Sequence, residues 1–245
     1  MTISNQINNV QITTCNIVRY TSGSGTYTPS AGTKFIIVEM CGGGGGSGGI
    51  SIASTSTIRC SAPGGGGNYL KFKMTAAQIG SSLSYAVGAG GTFGSSTPTD
   101  GGNGGNTTFG NWTASGGNGS VANTASNSAS NSNSTANTTG TGQLIQSMDG
   151  GTWNCTFSSA VTNLLTWSMN PGGTNPLSSP GVPYVGVVNV TGSGNSSLIA
   201  GGAGGRGYGM GAPPAGRYVQ ATGTQPVTGG GSNGTAGVII ITEFI

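Results

Sequence analysis

The chain has 245 residues, of which 51 are Gly; charged side chains make up 4%, His is absent, and seven basic against four acidic residues leave a net charge of +3. Average chains hold roughly 7% Gly and about 25% charged residues. So few cations cannot form the basic stripe of an electrostatic nucleic-acid binder, and a chain with no His and no clustered carboxylates lacks the groups most hydrolytic and metal-dependent enzymes use, so neither catalysis nor a cofactor is expected.

In chain order, the start MTISNQINNVQITTC has no cationic n-region and no apolar h-region, so it is not read as a secretory signal. No stretch approaches the roughly 20 apolar residues that span a bilayer as a helix. Residues 10–20 and 34–41 read as strands, the second alternating Ile36, Val38 and Met40 with Ile37 and Glu39. Gly23-Ser24-Gly25 and Pro29-Ser30-Ala31-Gly32 carry turn chemistry between them. Further strands are expected at 69–74 and 83–87, a single helical turn at Ala76-Ala77-Gln78-Ile79, and a β-branched closing strand at 237–244. Glu39 and Glu243 are expected on solvent faces of terminal strands, where charge discourages edge-to-edge aggregation. Asp100 and Asp149 precede Gly-Gly and read as turn residues.

Seven glycine tracts separate these strands: 42–49, 64–67, 88–91, 101–105, 116–119, 201–211 and 229–234. No strict G-X-Y register is kept, which excludes collagen. Flexible tethers are one reading. The other is polyglycine II, a helix with three residues per turn, a rise of about 3.1 Å and no internal hydrogen bonds. Its N–H and C=O groups point sideways, so neighbouring rods can satisfy one another where no Cβ holds them apart. The expected architecture is therefore all-β with packed polyglycine-II rods. Residues 1–41 and 235–245, with 68–90 contributing, form a small β-sandwich, 42–120 and 195–234 the rods, and 121–194 a polar loop and an inserted lobe, all in one composite domain.

Several motifs carry little. Cys15, Cys41, Cys60 and Cys155 lie far apart with no CxxC pair, so they read as free thiols rather than a zinc site. Gly45-Gly46-Ser47-Gly48-Gly49 fits the G-x-S-x-G nucleophile pattern, but glycine abundance makes the match trivial and no His can serve as base. Gly204-Gly205-Arg206-Gly207-Tyr208-Gly209 is like an RGG-type segment with too few cations for nucleic acid, and reads better as a turn at a rod end.

The order of blocks carries a resemblance. Residues 20–32 (YTSGSGTYTPSAG), then Phe35-Ile36-Ile37-Val38-Glu39-Met40-Cys41 and the glycine run, are followed by Thr75-Ala76-Ala77-Gln78-Ile79-Gly80, Tyr85-Ala86-Val87-Gly88-Ala89-Gly90-Gly91, Gly104-Gly105-Asn106-Thr107-Thr108-Phe109-Gly110 and the closing 234–245. Together they resemble the glycine-rich domain at the ends of bacteriophage tail fibres, over about residues 10–120 and 195–245. Residues 121–194 have no counterpart in it.

The resemblance implies a non-enzymatic virion surface protein made in the host cytosol, a fibre or fibre-tip module binding a host cell-surface protein or glycan beside other virion proteins, either as a monomer or as a homotrimer. A minor capsid or fibre protein without a receptor role is the alternative, and an ice-binding surface is a more distant one. Neither nucleic-acid binding nor membrane insertion is expected. Specificity would then sit in the connectors, with Tyr208, Arg206 and Arg217 exposed near a tip and Trp153, Trp167 and Tyr184 in the inserted lobe as candidate receptor-binding residues.

Overall fold

The computed structural model describes residues 14–52, 57–95, 99–122, 128–130, 140–151, 154–161, 164–169, 173–179, 184–189, 197–201, 206–213, 215–219, 227–229 and 232–245. The protein is nearly all β. Five antiparallel strands make its largest sheet, in the order β1 (Cys15–Tyr20), β20 (Val238–Phe244), β3 (Phe35–Cys41), β6 (Tyr69–Thr75) and β11 (Gln143–Met148). A four-stranded sheet runs β2 (Ser24–Tyr27), β7 (Leu83–Ala86), β8 (Thr107–Phe109) and β9 (Trp112–Ala114). The two sheets share one core. Alternation aims Ile36, Val38 and Met40 of β3, Leu70, Phe72 and Met74 of β6, and Ile239 and Ile241 of β20 at Tyr27, Phe109 and Trp112 of the smaller sheet. Phe72 stacks on Trp112 with ring centroids 4.5 Å apart, and the Trp112 Nε1–H donates to the Thr141 carbonyl at 2.9 Å. The expected helical turn is α1 (Ala76–Ile79), where the Thr75 N–H donates to Gln78 Oε1 at 2.9 Å.

Two acidic residues differ from expectation. β20 and β3 lie in the middle of the sheet, so Glu243 and Glu39 guard no edge. Glu243 is buried, 1% exposed. Its carboxylate accepts from the Tyr27 hydroxyl at 2.6 Å, the Ser30 hydroxyl at 2.6 Å, the Ser30 N–H at 3.2 Å and the Asn16 amide at 3.0 Å. Burial alone would raise its pKa, but these hydrogen bonds together outweigh it and hold the carboxyl below its ordinary range. Glu39 is opposite Lys71 in register and pairs with its Nζ at 2.6 Å. Glu39 keeps the outward, partly exposed face expected from the alternation of β3; the strand order and the burial of Glu243 are what local pattern could not report.

The glycine tracts run alongside one another as rods, and their hydrogen bonds repeat every third residue. In the rod 42–49, the N–H groups of Gly43, Gly46 and Gly49 donate to the carbonyls of Gly105, Gly102 and Thr99; those of Gly42 and Gly45 to Asn68 and Gly65; those of Gly44 and Ser47 to Thr235 and Ser232, all at 2.9–3.1 Å. Partner numbers fall as rod numbers rise, so these three neighbours are antiparallel. Its carbonyls accept from three parallel neighbours: Gly43 and Gly46 from Gly117 and Ser120, Gly44 and Ser47 from Gly91 and Gly94, Gly45 from Ala212. Six rods therefore enclose 42–49, and every residue of it is buried.

The six also bond to one another around the ring. Asn68 N–H reaches Ser115, Gly104 reaches Gly117, Gly105 reaches Ala89, Gly234 reaches Gly91, Thr235 reaches Met210, and Gly64 reaches Ala212. This is hexagonal polyglycine-II packing, in which each rod's backbone polar groups point sideways at threefold intervals. Apart from Ser47, the residues of the central rod are all Gly, and the packing requires it. A Cβ on Gly43, Gly44, Gly45 or Gly46 would collide with the carbonyl oxygen of Ala89, Met210, Asn118 or Thr92.

Candidate functional site

The lattice has two unlike ends. At one, β3 passes into the rod 42–49, the rod 61–68 passes into β6, 99–106 into β8 and 232–237 into β20, so this end abuts the two sheets. At the other, the chain leaves the rods in short strands: β4 (Ile50–Ile52) paired with β19 (Val227–Gly229), and β5 (Thr57–Cys60), β18 (Ala215–Val219) and β16 (Ser197–Gly201) in a three-stranded sheet.

Tyr208 and Arg206 lie at the sheet end, not at the free one. β17 (Arg206–Gly207) pairs with β14 (Ser178–Ser179). The Tyr208 N–H donates to the Leu177 carbonyl at 3.1 Å, and its own carbonyl accepts from Asn175 Nδ2 at 3.0 Å. The next residue, Gly209, accepts from the Gly67 N–H at 2.7 Å and donates to Ala236 at 2.8 Å. Its φ is +66°, and a Cβ there would meet the Gly42 carbonyl, Asn175 and the Cys41 sulfur. The turn is thus wedged beside the last residues of β3 and the first of β6 and β20. Arg206 is exposed, whereas Tyr208 is half-buried. Burial pushes the adjacent Cys41 thiol up to about 12.

Arg217 is at the free end, where register sets it opposite Ile199 of β16 on one side and Arg59 of β5 on the other. Arg59 was not singled out from sequence. The only hint was an Arg within a short β-branched run, Thr57-Ile58-Arg59, and its partner is far off along the chain. In the lobe, β10 (Ser128–Ser130), β12 (Asn154–Val161), β13 (Leu164–Met169) and β15 (Tyr184–Asn189) form a four-stranded antiparallel sheet. Trp167 is paired between Phe157 and Gly186, and Tyr184 pairs with Met169. Trp153 lies outside the described residues, as do 123–127, 131–139 and 202–205 of the polar loop and the sixth tract.

A second feature escaped the sequence reading. Asp100, Asn103 and Asn106 recur every third residue, and their side-chain oxygens accept in turn from the N–H groups of Ala122 at 2.6 Å, Gly119 at 2.7 Å and Gly116 at 2.9 Å. Asp100 is therefore a rung of a side-chain ladder rather than a turn residue. A short polar side chain from an adjacent rod also serves as acceptor for some ring N–H groups; Asn233 does so for Phe93, and Thr235 for Met210. Ser47, the serine of the G-x-S-x-G match, sits in the central rod with its hydroxyl accepting from the Ser232 N–H at 2.7 Å. Among the described residues no group of three potential metal ligands gathers, and no helix is long and apolar enough to cross a membrane.

A family model described as a glycine-rich domain matches residues 20–242. No curated protein matches the chain in sequence.

Proposed function

The chain belongs to the glycine-rich domain family, and on that premise we propose that it is a non-enzymatic surface module of a virion, a tail-fibre or fibre-tip component that binds a host-cell receptor. The observation that carries the reading is the enclosure of the 42–49 rod by six hydrogen-bonded neighbours. Such a lattice spends its side-chain positions on close approach and leaves no cleft in its interior. It is a rigid strut of about 25 Å for eight residues, anchored at one end in a packed core and presenting short strands and loops at the other. Recognition from loops on a rigid support loses little ordering entropy.

The same division assigns partners. The sheet end suits attachment to other virion proteins and the free end a cell-surface protein or glycan. Labelled protein should bind whole host cells, saturate, and reduce adsorption of the virus in proportion to occupancy. Saturable binding without any effect on adsorption, or no binding across cells the virus infects, would overturn the receptor role. A purely structural virion protein is the second reading. It is favoured by apolar residues on the two edge strands of the large sheet, Ile17 on β1 and Ile145 and Met148 on β11, all exposed. Exposed apolar edges fit pairing with a neighbouring subunit.

A further inference from the structure

We propose that two copies of this chain pair through the outer edge of β1, antiparallel about a two-fold axis at Ile17, so that their large sheets join into one. This gives the edge a partner and a register, and it does not depend on the receptor-binding reading. The first ground is the set of backbone groups that the edge leaves open. Thr14 and Ile245 exchange hydrogen bonds, the Ile245 N–H donating to the Thr14 carbonyl at 3.0 Å and the Thr14 N–H to the Ile245 carbonyl at 3.5 Å. In an antiparallel ladder such exchanging pairs alternate with pairs that exchange none. Asn16, Val18 and Tyr20 therefore bond to Glu243, Ile241 and Ile239 of β20, while the N–H and C=O groups of Cys15, Ile17 and Arg19 point away from it. Among the described residues no strand pairs with that outer edge. A row of open donors and acceptors is completed by another strand.

The other edges of the two core sheets are less open. β11 shifts register between Leu144 and Gln146, and such a bulge turns an edge away from further pairing. β2 and β9 are short, running only Ser24–Tyr27 and Trp112–Ala114. β1 keeps unbroken register from Cys15 to Tyr20 and contains no proline. At its middle Ile17 is 68% exposed.

The same geometry selects a second copy and its register. Only Cys15, Ile17 and Arg19 of β1 carry open groups, so hydrogen-bonded pairs must match these residues with one another. Setting Ile17 against Ile17 of the second copy matches them all, Cys15 with Arg19 and Arg19 with Cys15. A slip of two residues either way leaves one of them unmatched within β1. Asn16 reaches the buried Glu243, and Val18 and Tyr20 pack on the core, so Cys15, Ile17 and Arg19 share the outer face. Ile17 is then covered by its counterpart. Arg19 meets Cys15, in a row that continues through Phe244 and Phe35 of the second copy and holds no cation. A slip that set Arg19 against Arg19 would oppose like charges, which is destabilising. Arg19 thus fixes the register, and the edge supplies its own complement.

The experiment uses the full chain. Sedimentation from about 1 to about 300 μM, a range suited to an interface below the standard size, should show a shift from the 23.7 kDa monomer to twice that mass. I17P removes an N–H that faces outward and no bond to β20, so it should keep the parent's melting temperature yet weaken dimerisation about tenfold or more. I17K, which opposes two cations in the dimer, should do the same. I145K, a charge on the other edge, should leave dimerisation unchanged. Cross-linking reads the register, because the Cα atoms of a hydrogen-bonded pair lie about 5.5 Å apart, within disulfide reach. R19C should give a covalent dimer on copper-catalysed air oxidation, with mass spectrometry finding position 19 joined to Cys15 of the second copy. The parent should not cross-link, since its two Cys15 residues would lie roughly 13 Å apart along the strands. A monomer at every concentration, a trimer, undiminished dimerisation in I17P and I17K, or R19C dimers not joined through Cys15 would overturn the pairing. None of these readouts involves cells, so this interface and the receptor role stand or fall separately.

Discussion

Replacing Gly43 by Ala should strongly destabilise the fold, although the change adds one methyl group and needs no unusual backbone angle. The new Cβ would point at the Ala89 carbonyl oxygen. That oxygen is itself bonded to the Gly105 N–H at 2.8 Å, so it cannot turn away freely. The rod 42–49 cannot retreat either, because rods lie on all six sides. Relief by displacement would break the bond from Gly43 N–H to Gly105 and the bond Gly43 accepts from Gly117. Counting only the two buried groups of Gly43 itself, left unsatisfied at about 1–3 kcal/mol each, the loss is roughly 2–6 kcal/mol. For a chain of this size each kcal/mol moves the midpoint by about 2–4 °C, so calorimetry should show a fall of roughly 4–24 °C. Amide exchange across 42–49, slow in the parent, should become fast. The opposite behaviour has a clear physical meaning. In a flexible tether Gly→Ala restricts the unfolded chain and stabilises by about 0.4–1 kcal/mol. A melting temperature that holds or rises in G43A, with fast exchange in the parent rod, would refute the lattice as a source of stability.

Three other outcomes follow from individual side chains. Glu243 has its folded-state pKa held below the unfolded value, so its stabilisation is complete above the ordinary carboxyl pKa near about 4.3 and is lost as pH falls through the lower folded value. Acid titration of the melting temperature should therefore show a steep limb below about pH 4 in the parent, and a shallower one with a lower plateau at neutral pH in E243Q. Alkylation at pH 8 followed by peptide mass spectrometry should modify exposed Cys15 quickly. It should spare Cys41, buried with its thiol pushed up to about 12, until the protein unfolds. Trp112 is 1% exposed and stacked on Phe72, so W112A should cost about 3–5 kcal/mol by denaturant titration, with equal susceptibility in W112A and parent counting against a shared core between the sheets.

Most strands of the large sheet were legible because each carries its own signal; β11 was not, since it lies in the stretch 121–194 expected to form the polar loop and lobe, yet it pairs with β6 at the sheet edge. β3 and β6 alternate, and β20 opens with five β-branched residues in a row, so local pattern located them within a residue or two. β2 was not legible: Ser24–Tyr27 reads as a turn, and it becomes a strand only by pairing with Leu83–Ala86. Burial of Glu243 was hidden for the same reason, since its four hydrogen-bond donors come from Asn16, Tyr27 and Ser30, more than 200 residues away. The site suffered most. Tyr208 looked exposed because its neighbours are small, yet those glycines let backbone approach from 42, 67 and 236 and draw the turn against the sheet. Absence of side chains around a residue says nothing about absence of backbone.

That point extends to the lattice as a whole. A hydrophobic core is announced by residues that are present, whereas a polyglycine-II core is announced by Cβ atoms that are missing, and a missing Cβ is equally the mark of a loose linker. What separates the two is the register of the exceptions. In a tether, substituents could fall anywhere. In the rod 99–106 they recur at 100, 103 and 106, each as Asp or Asn, and each reaches the adjacent rod's unbonded N–H at 122, 119 and 116. In the rod 88–95 Ala89, Thr92 and Ser95 keep the same spacing, with Phe93 the one substituent out of register, and the carbonyls of those three line the glycines of the central rod. A period of three in the non-glycine residues is the sequence signature of a rod at the rim, and a run with one exception in eight, as in 42–49, is the signature of the rod at the centre.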